Sequence, residues 1–167
     1  LKALFGKDIR VFVPQIAMSA GTMIALSSKE IIMGKQSNLG PIDPQFGGMS
    51  CAGIIEEFNE ACSDVKANPE MARVWGPIIS KYHPTFIGDC KKAMTWADTI
   101  VNKWLTENMF SAYTDAEARA RKVVDALSSH NATYSHSRHI HIDELNNLGL
   151  KIVPLERLDD RQIDDCK

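Results

Sequence analysis

VPQIAMSAGTMIALSSKEIIM, Val13 to Met33, is the stretch whose reading decides the fold. It continues DIRVFV (Asp8–Val13), which is rich in β-branched and aromatic residues and reads as a strand. Pro14 has no N–H to give to a ladder and ends that strand. Ser19 to Ser27 reads as a short helix whose first-turn amides lie around Ser19, Ala20 and Gly21. Glu30 to Met33, EIIM, reads as a second short strand closed by Gly34. Strand, helix and strand in this order make a βαβ unit, so a parallel sheet is expected. Ser19 sits at the corner between first strand and helix. A small polar residue there is either a helix cap or a nucleophile, and the position alone leaves both open.

Outward from this unit the pattern changes. Gly34 to Gly48, GKQSNLGPIDPQFGG, holds two prolines and four glycines in fifteen residues and reads as loop. Ile54, Ile55, Phe58, Ala61, Cys62 and Val65 then fall on one helical face. Asn68-Pro69-Glu70 is a helix start with Asn as cap and Pro at the first position. Pro84 opens another helix with Phe86, Ile87, Cys90, Met94, Ala97, Val101 and Trp104 on its apolar side. Thr114 to Glu117 is a capping box starting a helix to about Leu127. A polar stretch follows, then a short helix at 143–148 that stops at Gly149, a left-handed cap. Lys151 to Leu155 reads as the last strand. The acidic tail DDRQIDDCK is expected to fray.

The chain has 167 residues, 44% apolar and 24% charged, with formal net charge −2. That length suits one domain, 1–167, of which 51–127 is a helical part. The balanced charge gives no reason to expect nucleic acid or an anionic membrane as partner. No run approaches the ~18 apolar residues of a membrane span, and no signal-peptide pattern stands within these residues. Membrane association is expected only through an anchor upstream of residue 1. The cysteines, Cys51, Cys62, Cys90 and Cys166, form no C-x-x-C and no metal-ligand spacing. They read as buried free thiols in a reducing compartment, and the location expected is cytoplasmic. The opening LKALFGKDIRVFVPQ, with no initiator Met, reads as part of a longer chain.

Three further residue sets bear on chemistry. Four of the five histidines crowd into His130–His141. No carboxylate or cysteine completes a ligand set with them, so no metal or other cofactor is expected. One imidazole of this cluster, His136, is a candidate general base toward Ser19, against the alternative of a solvated loop. Asp43, between two prolines in LGPIDPQ, is either a turn residue or the carboxylate that orients an imidazole. Lys66 and Lys81 are candidates for a Ser–Lys dyad, which needs a desolvated amine; both stand near helix ends where exposure is expected.

The runs AMSAGTMIAL, IIMG and LGPIDPQ, in this order and spacing, resemble the serine dehydrogenase proteinase family. That family is a relative of the Clp protease proteolytic subunit and of signal peptide peptidase A, in the Clp/crotonase fold. The segments WGPIISKYHPTFIGDC, WADTIVNKWLTENMF and YSHSRHIHIDELNNLGLKI are also similar, so the resemblance covers most of the chain. It implies an α/β fold of Clp/crotonase type, with a small, mainly parallel sheet flanked by helices and a helical extension. It implies a serine endopeptidase, a hydrolase of peptide bonds using serine, aspartate and histidine in that order. Carried over, Ser19 is the nucleophile, Asp43 the acid, His136 the base, and the Ala20 N–H an oxyanion donor. The family's second oxyanion donor lies on a Gly-Gly loop before the serine. Gly47-Gly48 follows Ser19 and cannot be that loop, so a fragment lacking the N-terminal strand and loop is expected. A peptide or protein substrate and a homo-oligomer are implied as partners, with the helix of Trp96 and Trp104 a candidate interface. The alternatives are an inactive protease-like scaffold and a Ser–Lys peptidase like signal peptide peptidase A.

Overall fold

A computed structural model describes residues 2–128 and 138–158. The chain divides into two units, one formed by residues 1–42 and 98–167, the other by Asp43–Ala97.

The first unit begins with α1 (Lys2–Phe5), β1 (Arg10–Val13), β2 (Ile16–Ala17), α2 (Ala20–Leu26), β3 (Glu30–Met33) and β4 (Asn38–Leu39). It resumes in α5 (Phe86–Glu107), which starts in the other unit, and continues through α6 (Ala116–Ser128), β7 (Ile140–His141), α7 (Ile142–Asn147) and β8 (Ile152–Pro154). One sheet has the order β1-β3-β8 and is parallel throughout, with Val11 opposite Ile31 and Ile32 opposite Val153. The expected βαβ unit is therefore present. The second sheet has the order β2-β4-β7. There β2 and β4 are parallel, Ala17 opposite Leu39, and β4 and β7 are antiparallel, Leu39 opposite Ile140.

Leu26, Ile31, Met33, Leu39, Leu105 and Phe110 are fully buried in one cluster that holds the helices on the sheets. Each such side chain contributes about 1.5–3 kcal/mol by leaving water. Asn108, itself buried, donates from Nδ2 to the Ser27 carbonyl at 2.8 Å, tying the end of α5 to the end of α2. Gly149 has φ +91 and follows α7, as its sequence position predicts.

The second unit opens with a hairpin, β5 (Gln45–Phe46) and β6 (Met49–Ser50). Gly47 and Gly48 have φ +58 and +82, the left-handed pair that a two-residue hairpin turn requires. Next come α3 (Cys51–Ala67), a 3₁₀ turn at Pro69–Met71 and α4 (Ala72–Ile79). Ser50 caps α3, its hydroxyl accepting from the Gly53 N–H at 3.3 Å, and Asn68 accepts from the Glu70 N–H at 3.2 Å. Cys51, Ile54 and Cys90 form this unit's buried centre, and Tyr82 stacks on Phe86 at 5.4 Å between ring centroids.

Two expectations are corrected. The stretch 34–48, read as loop, contains β4 and β5. Strands of two residues carry no hydrophobic period, and only their partners define them. Cys62, expected buried, is exposed, whereas Cys51 and Cys90 are buried; Cys166 lies outside the described residues.

Candidate active site

Ser19 follows Met18 at the end of β2 and precedes α2. Its backbone has φ 49 and ψ −113, and among the described residues it is the only non-glycine with positive φ. Such a conformation costs about 1–3 kcal/mol and persists only where the surroundings over-determine it. Here they do. The Ser19 N–H donates to the Pro41 carbonyl at 3.2 Å, and the Ser19 carbonyl accepts from the Met23 N–H at 3.0 Å. The Met18 carbonyl accepts from the Gly21 N–H at 2.8 Å, closing the turn.

Although Ser19 stands at the N-cap position of α2, its hydroxyl makes no capping hydrogen bond. A capping serine takes an extended backbone and accepts from the second or third amide of its helix; Ser19 does neither. A strained strand-to-helix corner with an uncommitted hydroxyl is the geometry of a nucleophile elbow. Ala20, next in the chain, is exposed, and its N–H has no hydrogen-bond partner among the described residues.

The loop after β4 is built against this corner. The Gly40 N–H donates to the Ala17 carbonyl at 2.8 Å. A Cβ on Gly40 would overlap the sulfur and methyl of Met18, so the flexible end of that side chain fills the space that glycine leaves. Thr22 is fully buried in α2, and its Oγ1 lies 2.8 Å from the Ala17 oxygen and 2.9 Å from the Gly40 oxygen. Sequence reasoning passed over Thr22 and Pro41. The signal for Thr22 was available: one hydroxyl within the apolar run AGTMIAL.

Asp43 is the first residue of the second unit and is 2% exposed. Its charge is one contributor to the state of Cys51, whose thiol is pushed up to about 12. Burial is the main cause there, followed by the hydrogen bond and charge of Cys90. Cys51 is thus a protonated structural thiol, not a nucleophile. Ser19 and Asp43 belong to different units.

His136 lies outside the described residues. His139 and His141 are exposed, as is His83. Because β7 runs antiparallel to β4, Arg138 and His139 enter it from the Gly40–Pro41 end of β4. Arg138 is held by Glu144, its Nη2 2.7 and 2.9 Å from the two carboxylate oxygens. Lys66 and Lys81 are both exposed, which is the opposite of what a Ser–Lys dyad needs. Among the described residues no group of three His, Cys, Asp or Glu could hold a metal ion, and no helix is long and apolar enough to cross a membrane.

Asp98, which sequence reasoning also passed over, is half-buried and accepts from the Ser128 hydroxyl at 2.5 Å. Burial raises its carboxyl above the ordinary value of 3.8; the Ser128 hydrogen bond opposes this and the Asp125 charge adds to it.

Two curated relatives are uncharacterized proteins of Methanocaldococcus jannaschii. MJ1495 is 27% identical over 142 residues, covering 85% of this chain and 41% of the relative. MJ0137 is 28% identical over 145 residues, covering 87% of this chain and 43% of the relative. The chain thus spans well under half the length of these relatives. No solved structure matches it significantly. A family model described as ClpP-like SDH-type serine proteinase matches residues 2–156. With nearly the whole chain matched and the strained Ser19 corner inside the match, this protein belongs to the ClpP-like SDH-type serine proteinase family.

Proposed function

We propose that this chain is the catalytic part of a serine endopeptidase of Clp/crotonase-type fold and that Ser19 is its nucleophile. Ser19 Oγ attacks the scissile carbonyl carbon, and its proton passes to the imidazole of His136. The tetrahedral intermediate collapses, the C–N bond breaks, and the leaving amine takes the proton from His136. Water then releases the acyl group by the same route in reverse order. Asp43 fixes the imidazole tautomer, and the Ala20 N–H binds the developing oxyanion. The substrate is a peptide or protein, and the working form is a homo-oligomer.

The observation that carries this reading is the backbone of Ser19, φ 49 and ψ −113, with a hydroxyl not used as a cap. The uncommitted Ala20 N–H supports the oxyanion role. The antiparallel pairing of β7 with β4 brings Arg138 and His139, the first described residues after His136, to the Gly40–Pro41 end of β4.

The test is labelling of the full-length protein with a fluorophosphonate, read by intact mass and peptide mapping. A single adduct on Ser19, absent in Ser19→Ala and strongly slowed in His136→Ala and Asp43→Ala, is expected. No adduct on folded wild-type protein leaves a protease-like scaffold instead. Labelling of His136→Ala at the wild-type rate removes His136 as the base.

A further inference from the structure

We propose that Thr22 is a positioning residue for Ser19, acting through the Gly40–Pro41 peptide. This rests on the nucleophile reading of Ser19 and extends it to a residue that does not meet substrate.

Thr22 Oγ1 has one proton and three neighbours: the Ala17 oxygen at 2.8 Å, the Gly40 oxygen at 2.9 Å and the Gly40 nitrogen at 3.2 Å. Ala17 already accepts from the Gly40 N–H at 2.8 Å. The Gly40 carbonyl is therefore the acceptor for which the Thr22 proton matters most. That carbonyl lies in the peptide plane joining Gly40 to Pro41. The planar peptide does not twist, and the ring of Pro41 locks its φ near −65°. With the Gly40 carbonyl held, a single free torsion, ψ of Pro41, remains before the Pro41 carbonyl. That carbonyl accepts the Ser19 N–H at 3.2 Å and so fixes the peptide plane entering Ser19.

The chain of constraint runs from a fully buried hydroxyl, through two rigid units, to the only strained non-glycine backbone among the described residues. Without the hydroxyl, the Gly40–Pro41 plane can rock and Ser19 can relax toward negative φ. The fold would remain, because the apolar contacts of α2 are untouched. The hydroxyl position of the nucleophile would not.

The test compares Thr22→Val, which keeps the shape, with Thr22→Ser, which keeps the hydroxyl, in fluorophosphonate labelling of the full-length protein. Melting temperature is measured alongside. In Thr22→Val the limiting inactivation rate is expected to fall about 10- to 100-fold, as misplacement of a reacting atom does. The half-saturating probe concentration should stay as in wild type, because the binding surface is unchanged. Thr22→Ser should recover most of the rate even where it melts lower. Thr22→Ala takes the place of Thr22→Val if that variant does not fold. An unchanged limiting rate in Thr22→Val overturns the proposal. So does a Thr22→Ser rate that falls with melting temperature as far as Thr22→Val does. If wild type is labelled nowhere on Ser19, the nucleophile itself is lost and Thr22 has nothing to position, a result distinct from wild-type labelling with no effect of Thr22.

Discussion

Ser19→Gly should make this protein more stable while removing the proposed nucleophile. The magnitude follows from the backbone at φ 49 and ψ −113. Holding a residue with a Cβ there costs about 1–3 kcal/mol. Glycine takes positive φ freely but loses more chain entropy on folding, about 0.5–1 kcal/mol relative to Ala. The net expected gain of Ser19→Gly over Ser19→Ala is about 1 kcal/mol. Ser19→Ala itself should be nearly neutral, because the hydroxyl makes no capping bond. Ser50 supplies the contrast within the same chain: its hydroxyl does cap α3, and Ser50→Ala should lose about 1 kcal/mol. Urea unfolding reads all three as shifts of midpoint at constant slope. The reasoning is refuted if Ser19→Ala loses as much as Ser50→Ala and Ser19→Gly is no more stable than Ser19→Ala. Ser19 would then be an ordinary, unstrained cap.

Gly40→Ala should cost less than about 1 kcal/mol, because only the flexible end of Met18 has to turn aside. A loss of about 2 kcal/mol or more in urea unfolding would show that Met18 cannot move aside. Asp98 gives a pH signature. Its folded pKa is raised by burial above 3.8, so the native state keeps a proton that the unfolded chain has released. Its contribution therefore declines as pH rises from near 3.8 through the higher folded value. Asp98→Asn, which cannot ionise, should gain stability relative to wild type across that window in urea midpoints taken at successive pH values. A relative loss would show the sign to be wrong.

The βαβ unit, the helix starts at Asn68 and Thr114, and the left-handed Gly149 were all legible in the chain, because each is written in neighbouring residues. Strand β3 is EIIM by composition alone, and Gly149 ends α7 because a residue without Cβ is needed there. The short strands β4, β5 and β7 were not legible. Two residues have no period, and they become strands only when Asn38 meets Ile16 and His141 across the sheet. Cys62 was misjudged for a related reason: its spacing fits the apolar face of α3, but it lines an open cavity with Ala72, Trp75 and Ile79 of α4 and stays exposed.

By itself, then, the sequence determined a parallel α/β sheet with a small polar residue at its first strand-to-helix corner, and the motif that marks the family. It left the backbone of Ser19 open. Only the tertiary structure shows that Ser19 is not an ordinary cap, because its φ is not set by local preference alone. It is set by the Pro41 carbonyl and the Thr22–Gly40 clasp, and Gly40 and Pro41 lie beyond β3 in the chain. Local sequence encodes local preference, and local preference would never put a serine at positive φ. A strained conformation has to be held by contacts from elsewhere, so it becomes visible only once those contacts are formed.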